Sequence, residues 1–172
     1  MSEKRLSDAG AVSFSERLAS SQIFATLFRD GMALVEETAT YLDGSGRDES
    51  KKLERSAAMV YATESMRLTT RLMQLASWLL LHRAVKEGEM TLTQANREKT
   101  KVKLSAADPG PADMLEKLPA QLQELIARSM NLQARVRRLD VSMHSPPTER
   151  APIGNPLVPQ LNRLKAAFER QA

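Results

Sequence analysis

The chain has 172 residues, no cysteine, nine methionines and a formal net charge of +4, with a pI near 9.6. That length allows one domain of about 130 residues plus tails, and the missing cysteines exclude disulfides, thiolate metal sites and cysteine nucleophiles while suiting a reducing compartment. The first ten residues carry no apolar run, and the densest apolar cluster, Trp78 to Leu81, is far shorter than a membrane span, so the sequence reads as soluble and cytoplasmic.

In chain order, a flexible N-terminus (1–12) is expected to precede a first helix over 13–42. Its inner face should carry Ile23 or Phe24, Leu27, Phe28, Leu34, Val35, Thr38, Tyr41 and Leu42. Gly31 falls on that face. A glycine inside a helix costs about 1 kcal/mol against alanine, which points to close approach of a second helix there. Asp43, Gly44, Ser45 and Gly46 then stop the helix. A second helix should start near Asp48 to Ser50 and run to Glu87, where Gly88 ends it.

That second helix has more apolar surface than one neighbour can cover. Tyr61, Leu68, Leu72, Leu75 and Leu79 form one stripe, Ala62, Thr69, Ala76 and Leu80 lie beside it, and Met59, Met66 and Met73 recur at heptad spacing beyond. It should be the central helix of a bundle. The methionine line is expected to be buried, either in the bundle or in a symmetric dimer, with a conformable docking surface as the other reading. Arg67, Arg71 and Gln74 share the remaining face with Val60, Trp78 and Val85.

Thr91 and Gln94 have the spacing of a capping box, so a short helix over 92–100 should follow. Lys101 to Leu104 alternate polar and apolar, but over too few residues to define a strand. Asp108, Pro109, Gly110 and Pro111 form a break before a third long helix over 113–143. Leu115, Leu118, Leu122, Leu125, Ser129, Leu132, Val136, Leu139 and Met143 give it a coiled-coil-like seam, and Pro119 is tolerable only in a first turn, so the helix should restart there. The remaining segment, 144–172, is proline-rich and ends in a short amphipathic motif, Leu157, Leu161, Leu164 and Phe168. This motif either folds back on the bundle or binds another protein.

Catalytic signals are nearly absent. His82 and His144 are not at ligand spacing with a carboxylate, and no glycine-rich phosphate loop or nucleophile elbow occurs. Glu36, Glu37 and Glu64 could meet Arg67 or Arg71; a structural ion pair is the preferred reading over an acid and base pair. No cofactor, metal ligand set or catalytic residue is assigned. The basic pI raises nucleic acid as a partner, but residues 13–46 carry a net charge of −3 and the downstream arginines form no single stripe. The opposite charges should instead meet inside the bundle or across a dimer. The fold expected is all-α: three long helices with a short extra helix in a dimeric bundle (13–143), followed by the tail.

Three pieces of the sequence resemble a known family: FATLFRDGMALVEETATYLDGSGR (24–47), ATESMRLTTRLMQLASWLLLHRAVKEGEMT (62–91) and LQARVRRLD (132–140). They are similar to the alphaproteobacterial regulators of CtrA degradation, over roughly residues 14–143. The resemblance implies a non-enzymatic adaptor that forms helical-bundle dimers and works with a response-regulator-type priming factor on the ClpX unfoldase of ClpXP. It would help deliver a master cell-cycle regulator and other substrates, with concentration at a cell pole. On that reading Leu157, Leu161, Leu164 and Phe168 are tail anchors, and Arg67, Arg71 and Trp78 mark a partner-binding surface of the bundle.

Overall fold

The structure, a computed structural model, describes the backbone of residues 3–101 and 110–144, and the side chains of 20–99 and 110–143. Six helices follow one another among these residues: α1 Glu3–Asp43, α2 Ser45–Ser50, α3 Arg55–Lys86, α4 Leu92–Lys101, α5 Ala112–Leu115 and α6 Ala120–His144. The fold is all-α, and no strand occurs among the described residues. By packing, the chain divides after Leu139; the body described below ends there.

The first helix begins at Glu3, earlier than the expected residue 13, because no proline interrupts the intervening stretch. Its inner face is the predicted one: Phe24, Leu27, Leu34, Thr38 and Tyr41 are buried, with Phe28, Val35 and Leu42 packed against them. Of the two alternatives at its start, Phe24 is the buried residue and Ile23 is exposed. Gly31 marks the close approach. A Cβ there would lie 2.6 Å from Leu79 Cδ1 of α3 and 3.5 Å from Leu132 Cδ2 of α6.

The connection to α3 is longer than the sequence suggests. Rather than a plain turn, Ser45–Ser50 forms a short helix, and α3 starts only at Arg55. Tyr41 Oη donates to Glu49 Oε2 at 2.7 Å, which ties α2 back onto the end of α1. At the far end of α3, Gly88 adopts φ of 75°, the left-handed region that glycine enters without steric penalty. The Gly88 amide donates to Val85 O and the Glu89 amide to Ala84 O, the paired bonds of a Schellman stop.

Helix α4 starts as expected from its capping box. The Thr91 amide donates to Gln94 Oε1 at 3.0 Å, and the Gln94 amide donates to Thr91 Oγ1 at 3.2 Å. Lys101 closes α4; the rest of the alternating stretch lies outside the described residues. The third long helix is divided. Ala112–Leu115 forms a single turn, and α6 restarts at Ala120, immediately after Pro119, whose carbonyl accepts from the Gln123 amide at 3.1 Å. Proline lacks an amide hydrogen, so it is accommodated at the start of a helix and not within one.

The core is where the three long helices meet. Trp78, Leu27, Leu68, Leu75, Leu79, Leu122, Leu125, Val136 and Ser129 have the most completely buried side chains. The seam of α6 is buried at Leu118, Leu122, Leu125, Ser129, Leu132, Val136 and Leu139, whereas Leu115 is partly buried and Met143 is exposed. Helix α3 lies at the centre, packed on α1, α4 and α5. The opposite charges meet within the chain: Glu37 of α1 pairs with Arg128 of α6 at 2.8 Å and Asp30 with Arg135 at 3.2 Å. These pairs are part-exposed, so they orient α1 against α6 more than they stabilise it.

A candidate interaction surface on the central helix

Helix α3 has two faces of opposite character. Tyr61, Leu68, Leu72, Leu75 and Leu79 are buried, as the stripe reading expects. On the other side, Met59, Met66 and Met73 are 69%, 72% and 66% exposed, and Leu80 extends the line at 52%. The methionines are therefore not core of this chain; the burial expected of them within the bundle is absent, because the seam 61–68–72–75–79 already takes that position. A residue seven places on returns to within about 20° of its starting direction, so these four side chains form one row some 30 Å long that slants about 60° around the helix.

Few charges stand near the row. Exposed Arg55, one turn before Met59, lies about 40° from its direction and Arg83 about 60° from that of Leu80, whereas Glu64, Arg67 and Arg71 lie about 80° or more from Met59. Small residues flank the large ones: Ala62, Thr63 and Thr70 are exposed beside the methionines. Three hydroxyls on this side are already bonded within the helix, Thr63 to Met59 O at 3.0 Å, Thr69 to Ser65 O at 2.8 Å and Ser77 to Met73 O at 2.8 Å. Covering them with another surface would thus leave few polar groups without partners. Leu80 was legible as a member of this row from its heptad spacing to Met73, but its position beside the buried stripe obscured that.

Of the surface expected around Arg67, Arg71 and Trp78, only Arg67 has an exposed side chain. Trp78 is 0% exposed, with its ring 4.0 Å from that of His82 and 6.3 Å from that of Phe24. His82 is correspondingly a buried member of an aromatic cluster. Lys86 Nζ sits 5.0 Å from the centre of the Phe24 ring and Arg83 Cζ 5.0 Å from that of Phe28, so two cations cover the cluster at this end. The bulky indole fills the α1–α3 interface, and helical periodicity does not distinguish that from an outer face when polar residues share it.

Arg71 is buried too, and its Nη1 donates to Ser129 Oγ at 2.9 Å. Burial pulls its guanidinium below the usual range, opposed by the nearby Glu64 carboxylate. Glu64 is itself buried and accepts from Arg67 Nη1 at 2.6 Å. The ion pair that the sequence suggests is thus made by Glu64 and Arg67, one turn apart, and of the three residues only Arg67 is substantially exposed. Glu37 pairs with Arg128 instead. Leu157, Leu161, Leu164 and Phe168 lie outside the described residues.

Other features carry less. An open groove of about 450 Å³ beside the α1–α2 turn is lined by Glu36, Glu37, Tyr41 and Gln121 among others. Burial and the hydrogen bond to Glu49 push the Tyr41 phenol well above its ordinary range. Among the described residues no group of three or more histidine, aspartate or glutamate side chains could hold a metal ion, and no helix is long and apolar enough to cross a membrane.

The family model described as "Protein of unknown function (DUF1465)" matches residues 15–168. No curated protein matches the chain. Among solved structures it is similar to the crystal structure of RcdA from Caulobacter crescentus CB15, at 53% sequence identity and a TM-score of 0.59, covering 70% of this chain and 90% of that one.

Proposed function

We propose that this chain, which belongs to the regulator of CtrA degradation family, is a non-enzymatic adaptor for regulated proteolysis. It helps deliver a master cell-cycle transcription regulator and other substrates to the ClpXP protease, acting with a response-regulator-type priming factor on the ClpX unfoldase. The observation that carries this reading is the 53% identity to RcdA over 70% of the chain. Its site of action is the cytoplasm, with concentration at a cell pole.

The mechanism is tethering. A helical body (13–143) and a binding arm (144–172) joined in one molecule turn two weak contacts into one effective encounter, so neither interface has to be tight. Leu157, Leu161, Leu164 and Phe168 anchor the arm. The uncharged methionine row supports a homodimer made by α3 against α3, because large thioethers beside small Ala62, Thr63 and Thr70 supply both knobs and spaces on one self-facing surface. Arg67, the exposed member of the polar group, lies at the edge of that surface.

Reconstituted degradation tests the reading. Purified ClpXP, the priming factor and the candidate substrate are combined with full-length protein, with a 1–143 truncation or with neither. Faster substrate loss with the full-length chain alone supports an adaptor whose tail is the delivery arm; no acceleration by folded full-length protein removes the adaptor function. Replacing Leu161 and Leu164 together by serine should abolish delivery and leave the thermal midpoint of the bundle unchanged. A double variant that melts with the loss of the bundle would instead make the tail part of the core.

A further inference from the structure

We propose that Met59, Met66 and Met73 form an oxidation-sensitive switch, in which peroxide-class oxidants convert the row of α3 to sulfoxides in the dissociated chain and so keep a second copy from docking there. The inference rests on the reading of this row as a self-association face. Three observations carry it. The thioethers are the most exposed large apolar groups of the described residues, at 66–72%. They stand in one line on a face where α3 carries a charge only at its start, Arg55, so a change of polarity acts on the row together. The chain has no cysteine, so no thiol of its own consumes the oxidant first.

The chemistry balances without a cofactor. A sulfur lone pair attacks the peroxide, the O–O bond breaks as the S–O bond forms, and one molecule of hydrogen peroxide becomes the sulfoxide oxygen plus water. Sulfur loses two electrons and the peroxide gains them. A thiol-dependent sulfoxide reductase reverses the change. The sulfoxide is a strong hydrogen-bond acceptor where the thioether was apolar, and on a face whose Thr63, Thr69 and Ser77 hydroxyls are already bonded to carbonyls, covering it with a second copy of the row is costly. Met32 and Met130, packed against the core, provide internal controls.

The test uses full-length protein and hydrogen peroxide, with peptide mass spectrometry for site occupancy and sedimentation for association. The untreated chain should be dimeric. At dilutions where the monomer is populated its three row methionines should oxidise several-fold faster than Met32 and Met130, more slowly as protein concentration rises and the face is covered, and the oxidised chain should associate at least about tenfold more weakly. A Met59→Leu, Met66→Leu, Met73→Leu variant should stay dimeric in peroxide, and Met66→Gln with Met73→Gln should dissociate without oxidant while keeping its helical circular dichroism. A dimer that persists after the row is fully oxidised overturns the switch and leaves the dimer reading standing. A chain that is monomeric before oxidant is added overturns the dimer reading, and the switch with it.

Discussion

Arg71 on α3 donates a hydrogen bond from Nη1 to Ser129 Oγ on α6, at 2.9 Å, between two side chains that are both buried. The serine passes the bond on, donating to Ile126 O at 2.7 Å. A charged side chain is thereby seated in the core with one of its donors satisfied across the bundle, while Nη2 has no hydrogen-bond partner among the described residues. The arrangement fixes the register of α3 against α6 more than it adds stability, because burying a guanidinium is costly.

Ser129→Ala therefore should cost about 1–3 kcal/mol, since it leaves the buried guanidinium with a further unpaired donor. Arg71→Met with Ser129→Ala should be less destabilised than the sum of the single changes, and Glu64 keeps Arg67 as its partner. Urea melts of the four proteins measure the coupling. Additive losses would mean that the bond contributes nothing specific.

Gly31→Ala pits two effects against each other. Helix propensity favours alanine by about 1 kcal/mol. The new Cβ would stand 2.6 Å from Leu79 Cδ1, and Leu79 is completely buried, so its terminal methyl cannot simply swing away. Overpacking of this kind costs about 1–3 kcal/mol, so the variant should be no more stable than the parent and Gly31→Val clearly less so. Leu79→Ala should recover part of the loss when combined with Gly31→Val, as read from thermal midpoints.

The sequence places Gly31 at a helix contact without naming the partner, because the missing side chain of a helical glycine is a local signal whereas the atom it accommodates belongs to another helix. The same division runs through the candidate surface. The heptad line of methionines was visible from spacing alone; that it faces outward was not, since two apolar stripes on one helix are equivalent until a neighbour chooses between them.

Tyr41 predicts an alkaline limit. Burial and the Glu49 carboxylate raise its folded-state pKa above the unfolded value of about 10, so the fold favours the protonated phenol. That contribution is fully present below pH 10 and is lost as pH rises toward the folded value. Burial raises Tyr61 in the same direction. Denaturant midpoints should thus fall above pH 10, and Tyr41→Phe should flatten that fall while lowering stability at neutral pH by about 1 kcal/mol through loss of the bond to Glu49. An unchanged alkaline slope in Tyr41→Phe would assign the limit to other groups.

Trp78→Ala should lose about 3–5 kcal/mol and the aromatic cluster with Phe24 and His82. Any loss of partner binding in that variant should track its loss of helical circular dichroism. Trp78→Phe, which keeps much of the packing, should bind as the parent does. Binding lost in a fully folded Trp78→Phe would restore the indole as a contact residue.

What the sequence by itself determined is whatever depends on neighbours along the chain. The capping box at Thr91 and Gln94, the Gly88 stop, the restart after Pro119 and the grouping of Tyr61, Leu68, Leu72, Leu75 and Leu79 into one stripe of α3 all follow from local hydrogen bonding and periodicity. Tertiary structure alone decided that Trp78 and Arg71 face inward, and that Asp30 and Glu37 of α1 find Arg135 and Arg128 of α6. Each of these rests on a side chain far away in sequence or on competition for a finite core. Periodicity says which residues share a face, and only packing says which face is covered.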